Sequence, residues 1–194
     1  MMSLKLVILD RDGTIGEECA DQLDADVNWQ PLPGALEAIA RLNHGGWHVV
    51  IAANQGGLGR GVYEMAAVNA MQGRMNKLLA AVGGKVDAVF FCPHAPDDAC
   101  HCRKPQPGLF EQIGERFGID LRGTPAVGDS ADDLVAAAAT GCEPHLVLTG
   151  AGAQLRGRAL PASFPALTRV HEDLAAFAEY LLTRDVPVAS GAVA

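Results

Sequence analysis

Two aspartates one residue apart, Asp10 and Asp12, follow directly on an apolar run, Leu6 to Leu9, in the segment KLVILDRDGTI. A run this rich in branched residues reads as a strand buried on both faces of a parallel sheet. Asp10 ends it and Gly13 lets the chain turn away, which puts both carboxylates at the carboxyl end of a central strand, where open α/β sheets bind ligands. Loop aspartates commonly do no more than cap helices or solvate turns. These two have company. Lys104 lies in a cysteine-rich loop, and a second apolar stretch runs into Gly128-Asp129-Ser130-Ala131-Asp132-Asp133. Three carboxylates and a lysine suffice to hold a magnesium ion and a phosphoryl group together.

A second cluster has different chemistry. Cys92-Pro93-His94 and Cys100-His101-Cys102 form a C-x-H pair and a C-x-C pair across a short proline-containing loop, residues 92–104. Together they supply three thiolates and one imidazole, the tetrahedral set of a closed structural zinc site. His101 competes with His94 as the fourth ligand. His94 is preferred, because adjacent Cys100 and His101 cannot easily face one ion. The odd total of five cysteines argues against a disulfide framework and for reduced thiols. Cys19 and Cys142 read as small buried or loop residues. A third feature, Asn54-Gln55-Gly56-Gly57-Leu58-Gly59-Arg60-Gly61, is a glycine-rich turn after an apolar run; such turns offer backbone N–H groups to anions, though alone they are a weak signal.

The elements that must position these residues alternate. After Leu6 to Leu9, residues from Gly16 to Pro33 are polar and irregular, with Glu17, Glu18, Asp21, Asp24 and Asp26, and read as a flap beside the site. A helix opens at Pro33-Gly34, with Leu36, Ile39, Ala40 and Leu42 on one face, and ends at His44-Gly45-Gly46. Trp47 to Ala53 is a strand. Tyr63 to Val82 is a helix whose methionines, Met65, Met71 and Met75, face the core. Val86 to Phe91 is a third, buried strand. A helix from Pro107-Gly108 turns Leu109, Ile113 and Phe117 inward and closes at Gly118; Pro125 to Val127 is a strand; Leu134 to Thr140 is a helix capped by Gly141; Pro144 to Leu148 is a fifth strand. Gly150 to Pro165 is a loop, Val170 to Leu182 one more helix. Repeated β-α alternation implies a mostly parallel sheet with helices on both faces.

At 194 residues the chain suits one domain, expected over 1–183, with a mobile tail over 184–194. A net charge of −8 and a pI near 5.1 disfavour nucleic acid and anionic membranes as partners and favour a small molecule. The early apolar run is short and ends in a charge, so no export signal is expected, and no stretch nears the roughly 20 apolar residues of a membrane span. A cytoplasmic monomer is expected.

With these residues set out, the chain resembles the haloacid dehalogenase superfamily of phosphatases over nearly its whole length. DRDGTI is similar to that superfamily's first motif, the strand ending in Asn54-Gln55 to its second, Lys104 to its third and GDSADD to its fourth. The Cys/His loop running into Cys102-Arg103-Lys104-Pro105 is similar to two groups within it, the heptose 1,7-bisphosphate phosphatases and the histidinol-phosphate phosphatases. Arg60-Gly61 and Pro107-Gly108 look like the heptose group.

The resemblance implies an α/β Rossmann-like three-layer sandwich without a large cap domain. It implies Asp10 as the nucleophile that takes the phosphoryl group, Asp12 as general acid and base, and Lys104 as the cation that stabilises phosphoryl charge and restrains Asp10. Magnesium is expected on Asp10, the backbone carbonyl of Asp12, and Asp129; zinc, on Cys92, His94, Cys100 and Cys102, is expected to be scaffolding for the loop that delivers Arg103 and Lys104. Substrate contacts are expected from Ala53, Asn54, Gln55, Arg60 and Arg103. Ala53 departs from the pattern, because the family has Thr or Ser there to bond the phosphoryl group. Weakened catalysis is expected, with Ala53→Thr restoring a hydroxyl at a solvent-reaching position. The implied reaction removes the 7-phosphate of a heptose 1,7-bisphosphate in the supply of lipopolysaccharide core precursors. Histidinol phosphate is the alternative substrate. A non-catalytic phosphosugar-binding module is the alternative of another class, and Asp10 argues against it, because binding alone needs no nucleophile.

Overall fold

Leu6–Leu9 forms strand β1 with every residue buried, and its alternation sets the architecture. Leu6 and Ile8 enter one apolar cluster while Val7 and Leu9 enter another on the opposite face. A strand buried on both faces must sit inside a covered sheet. β1 pairs in parallel with β2 (His48–Asn54) and β4 (Pro125–Gly128). With β3 (Ala88–Cys92), β5 (Glu143–Val147) and β6 (Arg169–His171) they make one six-stranded parallel sheet of order β3-β2-β1-β4-β5-β6. The computed structural model describes residues 4–18 and 29–184.

Helices α1 (Ala35–His44), α3 (Met65–Ala81) and α6 (Leu174–Arg184) cover the Val7/Leu9 face with Leu36, Ile39, Met71, Met75, Phe177 and Leu181. On the other face α4 (Gly108–Phe117) and α5 (Ala131–Ala139) bring Leu109, Phe110, Ile113, Ala136 and Ala137 against Leu6 and Ile8. The short α2 (Gly56–Gly59) forms the glycine-rich turn after β2. The result is the expected three-layer α/β sandwich, and no described helix is long and apolar enough to cross a membrane.

Several boundaries differ from the sequence reading. β3 is one of the two edge strands, so Ala88 to Phe91 are only half-buried, and Val86 and Asp87 fall outside it. Met65 is 42% exposed because it opens α3, beyond the reach of the sheet, while Met71 and Met75 are fully buried as expected. The helix expected over Val170–Leu182 divides. Arg169–His171 pairs with the outer edge of β5, and α6 begins only after Asp173, whose Oδ1 accepts the Ala176 N–H as a helix cap does. Within the expected loop, Gly150–Leu155 is a 3-10 helix. α6 runs to Arg184, where the tail was expected to begin, and Arg184 donates from Nη1 to Glu143 Oε2 at 2.6 Å. The rest of that tail, and Cys19, Asp21, Asp24 and Asp26, lie outside the described residues. Trp29, unremarked in the sequence, is fully buried against Gly16, where a Cβ would stand 2.3 Å from its ring.

Candidate active site

β1 and β4 deliver the two halves of the site side by side. The Asp10 N–H donates to the Val127 carbonyl at 2.8 Å, extending the β1/β4 ladder to the residue that carries the first carboxylate. Asp129 follows β4 and wedges against the turn after Asp12. A Cβ on Gly13, whose φ is +80°, would stand 1.9 Å from Asp129 Oδ2, so only glycine lets the carboxylate approach. The same oxygen accepts the Ala151 N–H at 2.7 Å, and Thr149 Oγ1 donates to the Gly13 carbonyl at 2.6 Å. Asp133 comes from the first turn of α5. Its Oδ2 accepts both the N–H and the hydroxyl of Ser130, a capping-box arrangement that freezes the side chain and starts the helix three residues before the expected Leu134.

Lys104 joins these carboxylates. Its ammonium donates to Asp10 Oδ1 at 2.6 Å, Asp133 Oδ1 at 2.6 Å and the Ala52 carbonyl at 2.7 Å, so all three N–H bonds are used. It is only 3% exposed. Burial works against its charge, but Asp10 and Asp133 outweigh that and hold it protonated. One lysine does not balance three acids. Burial pushes Asp10 well above the ordinary carboxylate range, with Asp133 and Asp129 adding to the shift and Lys104 opposing it. Burial and Asp133 likewise raise Asp129 to about 7. Asp10, Asp129 and Asp133 each place an oxygen within 4.8 Å of the others. Hard oxygen donors with surplus negative charge suit a small divalent cation.

Around this centre is a cleft of about 340 Å³ whose wall includes Asp10, Asp12, Lys104, Arg60, Arg103 and Ser130. Of the expected substrate contacts, Asn54, Gln55, Arg60 and Arg103 all reach it. Asn54 does so with its amide already engaged: Nδ2 donates to the Lys104 carbonyl at 3.1 Å and Oδ1 accepts the Lys104 N–H at 3.0 Å, a clamp on the lysine's own backbone. Gln55 is 2% exposed; its Nε2 donates to the Tyr63 hydroxyl at 2.5 Å, while its buried Oε1 has no partner among the described residues. Ala53 requires correction. It has no exposed surface, packs in the Val7/Leu9 core and does not line the cleft, because alternation along β2 turns it inward. A threonine hydroxyl there would enter the core wall, not a solvent-reaching one.

Three roles are not legible in the sequence pattern. Arg11 is 1% exposed and forks onto Asp12, Nε to Oδ1 at 3.0 Å and Nη2 to Oδ2 at 2.5 Å. Burial opposes its charge, but Asp12 holds the guanidinium protonated. For Asp133 as a partner of Lys104 the one local signal is the Ser130-x-x-Asp133 spacing of a helix start. The backbone clamp of Asn54 had none.

The Cys/His loop is brought together at the end of β3. Cys92 Sγ lies 3.4 Å from His94 Nδ1, 3.7 Å from Cys100 Sγ and 3.0 Å from Cys102 Sγ, and His94 Nδ1 lies 3.2 Å from Cys102 Sγ. A tetrahedron of ligands about 2.0–2.3 Å from a zinc ion has edges of roughly 3.3–3.8 Å, so the donor set fits that metal with little movement. His101 turns away to Glu111, 2.6 Å distant. The loop crosses closely over α2: a Cβ on Gly59 would stand 2.3 Å from the Ala95 nitrogen. Two residues after Cys102, Lys104 enters the site.

The chain matches the HAD-hydrolase-like family model over residues 101–177. It is 51% identical over 179 residues to the D-glycero-beta-D-manno-heptose-1,7-bisphosphate 7-phosphatase of Bordetella bronchiseptica, covering 92% of this chain and 98% of the relative. It is 48% identical to the enzyme of the same name from Pseudomonas aeruginosa, covering 93% and 99%. The crystal structure of the B. bronchiseptica D,D-heptose 1,7-bisphosphate phosphatase, complexed with magnesium and phosphate, superposes with a TM-score of 0.87 at 50% identity over 93% of this chain and 99% of that one. Similarity of this extent shows that the chain belongs to the heptose-1,7-bisphosphate 7-phosphatase family of HAD-like hydrolases.

Proposed function

We propose that this protein is a phosphatase that removes the 7-phosphate of a heptose 1,7-bisphosphate through an aspartyl phosphate on Asp10, acting as a cytoplasmic monomer in the supply of lipopolysaccharide core precursors. The observation that carries the reading is the ion pair of Lys104 with Asp10 at 2.6 Å, at the end of the central strand and beside Asp129, in a chain half identical to enzymes of that name. Asp10 attacks phosphorus and the bond to the sugar oxygen breaks. Asp12 gives that oxygen a proton, then takes one from the water that cleaves the aspartyl phosphate. Lys104, fixed by Asn54 and Asp133, restrains Asp10 and faces the charge on the transferring group. Magnesium, held by Asp10, the Asp12 carbonyl and Asp129, would supply the positive charge that shields nucleophile and phosphate from one another. Arg103, whose Nη1 lies 3.5 Å from the His94 carbonyl, and Arg60 stand at the cleft wall to meet a second phosphate.

Cys92, His94, Cys100 and Cys102 would hold zinc with four protein ligands, and the ion would then fix the loop and take no part in the chemistry. Cys100→Ser is expected to lower bound zinc from one per chain and to lower the melting temperature. Metal analysis and a thermal scan check this; unchanged values for both would refute the ligand set.

The raised carboxylates give magnesium a pH signature. A carboxylate whose folded pKa lies above its unfolded one contributes stability that is complete below about pH 4 and is lost as pH rises through the folded value, about 7 for Asp129. Metal-free protein should therefore be less protected at pH 8 than at pH 5. Magnesium, binding the ionised form, should raise the melting temperature more at pH 8. Equal gains at both pH values would count against the site.

Substrate choice is tested by comparing kcat/KM for heptose 1,7-bisphosphate and histidinol phosphate. The two arginines at the cleft predict a preference for the bisphosphate, whose second dianion they can fork; faster turnover of histidinol phosphate would replace this reading.

A further inference from the structure

Among the described residues Arg11 is the one arginine buried from solvent, and its fork spans both oxygens of its immediate neighbour Asp12. Its environment is acidic: Asp12 and, more weakly, Asp10 favour its charge. The backbone is equally fixed, because the Arg11 carbonyl accepts the N–H groups of Thr14, Ile15 and Gly16 at 3.3, 2.8 and 3.1 Å, closing the turn that follows Asp12. Such a guanidinium is too enclosed to meet substrate. Yet a buried charge persists only with a partner, and among the described residues the side chain this arginine bonds is that of Asp12, which lines the cleft beside Asp10.

We propose that Arg11 is a positioning residue for Asp12: its fork aims the carboxyl into the cleft and takes up the negative charge that appears there when Asp12 protonates the leaving oxygen. This rests on the phosphatase reading above. In the first displacement the Asp10 oxygen bonds phosphorus, the phosphorus–oxygen bond to the sugar breaks, and the electron pair left on the sugar oxygen takes the Asp12 proton. Asp12 is then a carboxylate, which is the form the two N–H donors of Arg11 match. In the second displacement Asp12 takes a proton from water, the water oxygen bonds phosphorus, and Asp10 is freed. Lysine at position 11 keeps the charge but loses the planar fork, so it separates aim from electrostatics.

The leaving group provides the test. A sugar oxygen needs the proton, whereas 4-nitrophenolate departs without one, and kcat/KM reports only events up to the first displacement. Arg11→Lys and Arg11→Gln are assayed with the magnesium-loaded protein on heptose 1,7-bisphosphate and on 4-nitrophenyl phosphate, alongside Asp12→Asn and Asp10→Asn. Both rates come from one preparation, so partial unfolding cancels in their ratio. Expected is a loss of kcat/KM of about tenfold or more on the sugar phosphate, and of less than about threefold on the aryl phosphate, in the same sense as Asp12→Asn. Proportional losses on both substrates, or no loss on the sugar phosphate, would overturn the role of Arg11 while leaving the phosphatase reading intact. Activity surviving in Asp10→Asn would overturn both.

Discussion

Asp10→Asn is expected to leave a folded protein that releases phosphate at least about 10⁴-fold more slowly than the parent, because an amide cannot form the covalent intermediate and later departures in the mechanism have nothing to act on. The fold should survive. The Asp10 backbone N–H still bonds Val127, and an amide oxygen can still accept from Lys104. The substitution also removes one of the three acids that crowd a single lysine, so the loss of an ion-pair partner and the relief of repulsion oppose each other. Circular dichroism and a denaturant titration check stability, and a phosphate-release assay with magnesium checks rate. A folded variant with turnover near that of the parent would remove Asp10 from the role of nucleophile.

Lys104→Ala is expected to damage stability and rate together. The ammonium is 3% exposed and bonded three times. Removing it takes the bonded ammonium from Asp10 and Asp133 and the donor from the Ala52 carbonyl. Breaking a buried pair in this way costs about 3–5 kcal/mol. The cost should be smaller at pH 5 than at pH 8, because burial raises Asp10 and, to about 7, Asp129, and a carboxyl that takes up its proton needs no partner. Turnover should fall by a factor of about 10² or more, since the charge on the transferring group loses its fixed counter-ion. Urea titrations at the two pH values check the first expectation. A cost independent of pH would mean that the lysine contributes packing, not charge.

The chemistry was legible where it is local. Asp10 is announced by the apolar run it terminates, Asp129 by a second such run, and the metal loop by ligand spacing, because a strand end and a four-residue clamp are properties of a few consecutive residues. What stayed hidden depends on partners distant in the chain. Nothing local says that Asn54 will grip the backbone of Lys104, fifty residues on, or that Arg11 will be buried, since arginine between two aspartates looks like a solvated turn. Alternation along β2 places Ala53 on the core face with Val49 and Ile51, whereas the family pattern at that position implies a side chain at the phosphoryl group. β6 was masked for another reason. Three residues, Arg169 to His171, are too few for a period of two to stand out against the helical spacing that follows, and they become a strand only because β5 offers a free edge.

The central claim is most directly tested by incubating the magnesium-loaded protein with heptose 1,7-bisphosphate and following the products by phosphorus NMR. The account predicts inorganic phosphate together with one sugar monophosphate, its remaining phosphorus coupled to the anomeric proton at carbon 1. No phosphate release, or a product that retains its phosphate at carbon 7, would contradict it.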